Sequence, residues 1–478
     1  MHAAFTFVDL FAGIGGFHAA LSALGGECVY AVEVDHFAAS TYERNWGRPG
    51  GRPVLGDVTN VAGDDPVSDV VPDHDVLAAG FPCQPFSKSG SQRGMEEIRG
   101  TLFFNVMNII KARQPKVVLL ENVRNLAGPR HRHEWDVIVS LLHKEGYRIS
   151  ATPAILSPHR IPPDLGGRPQ VRERVFISAT RNDGSPDLVL PPSETAPPSL
   201  SFASMTPEKW DITTVLSPKG DPDLAGTALS ASERDWIEAW HTWVEYYRSE
   251  NAGANPPSFP IWSDDWRTTA ELDAYLNRPE NRHLPNWKVG FLRKNAALYD
   301  SHNRHWLDKW LLDFGIADFR PSRRKLEWQA GDARLKDCLV QPRPSGIRVK
   351  PPTYAPSLVA ITQTSIYAPM LRRLSFREAA RLQGLPDEFI FPEDQPVAVS
   401  YRQMGNGVNV GAVWNVFKSH CRRDSDLLNQ TPRGRSILAA ATHAPECPDE
   451  LLRKILHHYA PEVSSHLAQD SGSIPPTI

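Results

Sequence analysis

The chain has 478 residues, more than one hydrophobic core of ordinary size holds, so two or three domains are expected. Its 52 Lys and Arg against 55 Asp and Glu leave a net charge of −3, so a polyanionic partner must meet a local basic face and cannot be drawn in by a global field. Five widely spaced cysteines, Cys28, Cys83, Cys338, Cys421 and Cys447, with no Cys-x-x-Cys pair, argue against a disulfide framework and a zinc site and for a reducing cytoplasm. The first residues lack a basic n-region and no apolar stretch reaches about 18 residues, so neither export nor membrane spanning is expected.

Phe5 to Phe11 reads as a buried strand, followed by the glycine turn Ala12-Gly13-Ile14-Gly15-Gly16-Phe17 and a helix from His18 to Leu24. Glycines between strand and helix let a ligand approach the backbone closely. The next strand, Cys28 to Val32, ends in Glu33, about 20 residues on, the spacing at which an acidic side chain takes ribose hydroxyls. Val54 to Val58 offers a second carboxylate, Asp57, suited to an adenine amino group. An NAD site is one reading of this pattern. The Gly-x-Gly-x-x-Gly register and a phosphate-binding cation are both missing, however, and a cofactor with adenosine but no pyrophosphate fits better: S-adenosylmethionine.

A third strand, Asp75 to Ala79, presents Gly80-Phe-Pro-Cys-Gln-Pro-Phe-Ser87 at its carboxyl end. Cys83 between two prolines is either a nucleophile in a restricted geometry or a structural thiol in a turn. Ser87 to Gly100 is polar and Gly-punctuated, a long loop, and a helix from Thr101 to Ala112 follows. The apolar strand Lys116 to Asn122 then brings Glu121 to the same edge as Cys83. A carboxylate beside apolar sequence has a raised pKa and can act as an acid, and its alternative is a salt-bridged or capping role. Gln170 to Ile177 alternates like a half-buried strand, with Gln170, Arg172 and Arg174 on one face, where paired arginines call for an anion or an oxygen-rich base.

From about Asn182 the βαβ rhythm gives way to Pro-rich sequence and seven tryptophans between Trp210 and Trp287, a second domain after a linker. Trp236, Trp240, Trp243, Val244 and Tyr247 recur at helical spacing and read as core. Nine basic residues between Arg320 and Lys350 outnumber Glu327, Asp332 and Asp337, a basic patch for phosphates or guanine edges, or a solvated surface. Ser375-Phe-Arg-Glu378 opens a helix as a capping box that Gly384 and Pro386 close. Gly405-Asn-Gly407 begins an apolar helix, Val408 to Phe417, expected beside the first strand. Pro448 to Tyr459 reads as one more helix, and the final residues as a disordered end.

Together these residues resemble the cytosine-C5 DNA methyltransferases. The matching blocks are Asp9 to Phe17, Gly80 to Ser87, Glu121-Asn122-Val123, Gln170-x-Arg172-x-Arg174, Arg377 to Gly384 and Gln403 to Val408, in the family's order, covering roughly residues 5–180 and 369–418. The resemblance implies an α/β fold: a Rossmann-like S-adenosylmethionine-dependent catalytic domain over 1–180 and a smaller target-recognition domain over 181–368. A bracing helix and a return helix over 369–420 would pack back on the catalytic domain, with 421–478 a tail of unknown role.

The implied activity is DNA (cytosine-5-)-methyltransferase, flipping cytosine from double-stranded DNA. A tRNA cytosine-C5 methyltransferase and a catalytically silent DNA-binding relative are the alternatives. The catalytic set carried over is Cys83, Glu121, Arg172 and Arg174, the two arginines holding the cytosine O2 and nearby phosphate. The cofactor set is Phe11, Gly13, Gly15, Gly16, Glu33, Asp57, Val58, Pro82, Leu102, Asn406 and Val408. Val34 stands where the family often has an aromatic residue, and Ser357-Leu358 where it often has Thr-Leu. Ser87, Ser89 and Gln92, with Arg323, Arg324, Lys325 and Arg348 of the basic stretch, are the DNA-binding candidates. The same resemblance implies no metal and no membrane, a monomer in the bacterial cytoplasm near the nucleoid, and a cognate restriction endonuclease as functional, not physical, partner.

Overall fold

A computed structural model of the chain describes residues 3–63, 67, 69–82, 101–184, 190–358 and 364–470. They fall into two compact units, one of residues 1–207, 357–362 and 379–478, the other of 208–356 and 363–378.

The first unit is built on a seven-stranded sheet. Its elements run β1 (Phe5–Leu10), α1 (Gly16–Ala23), β2 (Gly26–Val32), α2 (His36–Trp46), β3 (Val76–Ala79), α3 (Leu102–Arg113), β4 (Val117–Val123), α4 (Arg132–Lys144), β5 (Tyr147–Arg148), β6 (Ala154–Leu156) and β7 (Arg174–Arg181). The order is β2-β1-β3-β4-β7-β5, with β6 also on β7; β2, β1, β3 and β4 are parallel and β7 is antiparallel to β4. Strands buried on both faces need unbroken apolar runs, and Val76–Ala79 and Val117–Leu120 are wholly buried. Val8 and Leu10 join α3 and α4 in one core, whereas Phe7 meets His18 of α1 on the opposite face. The strand order reverses between β1 and β3, and open sheets of this kind take ligands at the carboxyl ends beside that point.

The second unit combines α5 (Ala231–Glu250), β8 (Ile261–Trp262), α6 (Thr269–Leu276), α7 (Asn286–Ser301) and α8 (Arg304–Asp313) with β9 (Lys325–Trp328), β10 (Leu339–Arg343), β11 (Gly346–Lys350), β12 (Ile366–Tyr367) and β13 (Arg372–Arg373). Its sheet runs β13-β12-β10-β11-β9-β8. Ser230 and Glu233 close a capping box on α5, and the tryptophan stripe is core: Trp236, Trp240 and Trp243 pack with Trp310, Ile347 and Val349.

The chain then forms α9 (Phe376–Leu382), α10 (Val397–Asn406), α11 (Val410–Arg423), α12 (Ser425–Leu428), α13 (Pro432–His443) and α14 (Asp449–Asp470). The Gly405-Asn-Gly407 stretch ends α10 and does not open the following helix. Gly407 turns the backbone out at φ −61° and ψ 152°, and the Asn409 side chain accepts from the Ala412 amide to start α11. As expected, α11 returns to the first strand, with Phe417 stacked on Phe5 at 6.0 Å. Residues 181–207 belong to the first unit, and so does the stretch after Cys421. Two ion pairs hold that stretch down, Arg168 donating through one nitrogen to both Asp449 oxygens and Arg148 through both terminal nitrogens to Asp426. None of the described helices is long and apolar enough to cross a membrane.

Glu378, fully buried, accepts from both terminal nitrogens of Arg372 (2.8 and 2.7 Å) and from the amides of Ser375 and Ser217. Removing one partner of such a pair leaves a buried charge unopposed. Glu378→Ala is expected to cost about 3–5 kcal/mol in urea unfolding. A loss below about 1 kcal/mol would show that the pair is dispensable.

Candidate active site

The carboxyl ends of β1, β2, β3 and β4 carry the candidate residues. After β1 the chain enters a left-handed turn at Phe11 (φ 57°), a conformation that costs a non-glycine residue of order 1–3 kcal/mol and so is held by its surroundings. Gly13 (φ 56°) and Gly15 (φ 88°) follow in the same region. A Cβ on Gly15 would overlap the Trp46 indole, whose N–H donates to the Ile14 carbonyl at 3.0 Å. One on Gly16 would stand 2.6 Å from the Val408 carbonyl oxygen, so the returning chain closes directly on the glycine turn. At Gly13 the same position is open space.

Beneath the turn lies a rigid buried floor. His18 stacks on Trp46 at 4.8 Å and shares a 2.6 Å hydrogen bond with the Tyr42 hydroxyl; burial lowers its pKa to about 3, so the ring is neutral. Asp9, also buried, accepts from the His18 amide, and its pKa is raised well above the ordinary value, mainly by burial.

Glu33 sits just past β2. One carboxylate oxygen accepts from the Gly13 amide (2.9 Å), the other from the Asp35 amide (2.8 Å). Burial raises its pKa and these backbone donors oppose the rise. Each oxygen keeps a lone pair for a further donor, such as a vicinal diol. Glu33 bridges Leu55, and the neighbouring Val34 and Leu55 are 70% and 53% exposed, apolar surface beside the carboxylate. Asp57 stands exposed two residues on and caps Thr59, while the Val58 side chain is core. Asn406 and Pro82 are exposed, and Val408 and Leu102 half-buried. An open glycine turn, a diol acceptor and flanking apolar surface fit an adenosine-bearing cofactor.

Glu121 lies at the end of β4 and pairs with Arg174 of β7, its diagonal neighbour across the antiparallel ladder, at 2.8 Å. Burial raises the Glu121 pKa, against the pull of Arg174 and Arg172. A Cβ on Gly80 would be 3.8 Å from a Glu121 oxygen, so the carboxylate stands beside the stem of the Pro-Cys block. Asn122 fixes that stem by donating to the Phe81 carbonyl at 2.9 Å. Cys83, Ser87, Ser89 and Gln92 lie outside the described residues.

The two arginines have different surroundings. Arg174 faces Glu121, whereas Arg172 is 1% exposed and donates to the carbonyls of Leu358 (3.0 Å), Gly405 (2.9 Å) and Gly407 (2.6 Å). The alternating pattern predicts a half-buried strand from Gln170, but β7 begins only at Arg174 and Gln170 is fully buried. For Arg172, acceptors from distant parts of the chain make burial possible, and no periodicity announces them. Trp46 and Asn122 are likewise supports without a sequence signal beyond their place beside a motif.

In the second unit the basic stretch is largely engaged. Arg323 lies over Trp236 at 5.5 Å, Arg324 donates to the carbonyls of Phe319 and Ala317, and Lys325 lies 3.9 Å from Asp264. Arg348 shares Glu327 with Arg343. Each of these candidates is half-buried. Among the described residues no group of three or more His, Cys, Asp or Glu could hold a metal ion.

The model of the C-5 cytosine-specific DNA methylases matches residues 5–422. Type II methyltransferase M.AluI of Cellulosimicrobium cellulans is 45% identical over 92% of this chain and 96% of its own length. M.HpaII of Haemophilus parainfluenzae is 28% identical over 86% of this chain and 87% of its own, and M.HhaI of Haemophilus parahaemolyticus 42% identical over 37% of this chain and 49% of its own. S-adenosylmethionine is the methyl donor in this family, in agreement with the residues past β1 and β2. With its matched motifs on the strand ends of a doubly wound sheet, this chain belongs to the C-5 cytosine-specific DNA methylase family.

Proposed function

We propose that this enzyme methylates cytosine C5 in duplex DNA through a covalent adduct at Cys83, as the modifying half of a restriction system. The observation that supports these roles is the Glu121–Arg174 pair standing beside Gly80, three residues before Cys83. Cytosine C5 is a poor nucleophile. The Cys83 thiolate adds to C6, Glu121 holds a proton at N3, and the ring electrons move to C5. Arg174 orients Glu121 and donates to the cytosine O2. Glu33 holds the ribose, Asp57 the adenine amino group, and Phe11, Gly13 and Asn406 line the remaining pocket. S-adenosylmethionine, when bound, supplies an electrophilic methyl group. Loss of the C5 proton to water, with return of the N3 proton to Glu121, then expels the Cys83 sulfur as thiolate and restores the aromatic ring.

The base inside a duplex must first be extruded, at a cost of a few kcal/mol. Arg323, Arg324, Lys325 and Arg348 are the proposed phosphate and base contacts, with Ser87, Ser89 and Gln92 nearer the flipped base. The enzyme works as a monomer in the bacterial cytoplasm, protecting DNA from a cognate endonuclease that it does not bind.

Labelled methyl transfer to duplex DNA and to tRNA tests the reading. The wild type is expected to label duplex DNA alone and Cys83→Ala neither, while label in tRNA only would overturn it. Bisulfite sequencing of the product then gives the site. Glu33→Ala should raise the KM for S-adenosylmethionine roughly 10–100-fold, the loss of a charged hydrogen-bond acceptor; an unchanged KM would remove Glu33 from the pocket.

Glu121→Gln should lower kcat about 10²–10⁴-fold. Stability provides a separate check. The raised Glu121 pKa means that folding holds the protonated form better, so this contribution is full below the ordinary value of 4.5 and is lost as pH rises through the folded value. Relative to wild type, Glu121→Gln should therefore gain stability with rising pH across that window, read from urea midpoints. A flat difference would contradict the burial of an ionisable Glu121.

A further inference from the structure

Arg172 sits in the motif that carries Arg174, yet its guanidinium is turned toward main chain. One terminal nitrogen donates to the Leu358 carbonyl, the other to the carbonyls of Gly405 and Gly407. Its own amide donates to Ser157 Oγ at 2.8 Å, and Ser157 Oγ is hydrogen-bonded to His159 Nδ1, so the backbone beneath the side chain is pinned as well.

The acceptors come from two functionally distinct places. Leu358 lies in residues 357–362, a short stretch of the first unit preceded and followed along the chain by the second unit. That stretch is joined to the second unit along the chain on both sides, so the covalent chain is a route by which a rearrangement there can reach it. Gly405 and Gly407 flank Asn406, and the next residue, Val408, closes on Gly16 of the glycine turn. One planar, permanently charged fork therefore ties the chain's entry to the second unit to the cofactor side of the first.

We propose that Arg172 is a positioning residue that couples engagement of the DNA target to cofactor binding, through its shared hold on Leu358 and on Gly405 and Gly407. This rests on the reading of duplex DNA as substrate. Coupling here is a reciprocal free energy: DNA tightens the cofactor site by the same factor as cofactor tightens the DNA site. A lysine at this position keeps the charge but cannot address two nitrogens' worth of acceptors, and a methionine keeps only bulk.

The test uses full-length wild type, Arg172→Lys and Arg172→Met. Calorimetry measures S-adenosylhomocysteine binding with and without a duplex that the wild type methylates. The wild type should show a coupling factor of about 5 or more, within the usual range, with Arg172→Lys reduced and Arg172→Met within about twofold of unity. Equal coupling in wild type and Arg172→Met, or none in the wild type, overturns the proposal. If the variants do not fold, hydrogen exchange on the wild type decides: S-adenosylhomocysteine alone should slow exchange in the peptide ending at Leu358, and an effect confined to the glycine turn and residues 405–408 overturns it. A wild type that methylates no duplex DNA refutes the substrate reading instead, and the exchange experiment still reports on the tie through Arg172.

Discussion

A carboxylate buried at the end of a parallel strand is tolerable only if something answers its charge, and at Glu121 the answer comes from Arg174 across the antiparallel ladder. This pair requires β7 to run against β4, reversing the direction that β1, β2, β3 and β4 share. Gly80 stands alongside, where a Cβ would come within 3.8 Å of a Glu121 oxygen. Asn122, next to Glu121 in sequence, points to the other side and fixes the Phe81 carbonyl, so β4 orders both the carboxylate and the stem of the Pro-Cys block.

The cofactor side depends on the chain coming back. The glycine turn leans on Trp46 from one direction and meets Val408, nearly four hundred residues later in sequence, from another. Gln403 holds that returning segment by exchanging hydrogen bonds with Thr41 and Gln395 in a buried polar network, where every satisfied group adds rigidity. The stretch past residue 422, beyond the matched family region, is fastened to the same unit. Asp449 grips Arg168, just ahead of the segment that carries Arg172 and Arg174.

Much of this was legible in order along the chain. Glycines between a strand and a helix, an acidic residue about 20 positions on, and apolar runs leading to the Pro-Cys block and to Glu121 gave the doubly wound sheet and the edge at which sheets of this kind take ligands. The tryptophan stripe of α5 announced a core through its helical spacing, and it is one. These signals are local, because periodicity and turn chemistry are set by residues a few positions apart.

Charge and burial were another matter. Counting basic residues between Arg320 and Lys350 suggests a free positive face, but Asp264 and Glu327 lie against Lys325 and Arg348, and only folding brings Asp264 alongside. Arg172 and Arg174 look equivalent two positions apart, yet one faces a carboxylate and the other three carbonyls. The sequence by itself determined the family and which strand ends carry the candidate groups, since these follow from residue types at short spacings. Tertiary structure alone decided which of two neighbouring arginines pairs with Glu121 and which holds main-chain carbonyls, because a guanidinium's partners depend on the acceptors that distant segments bring to it.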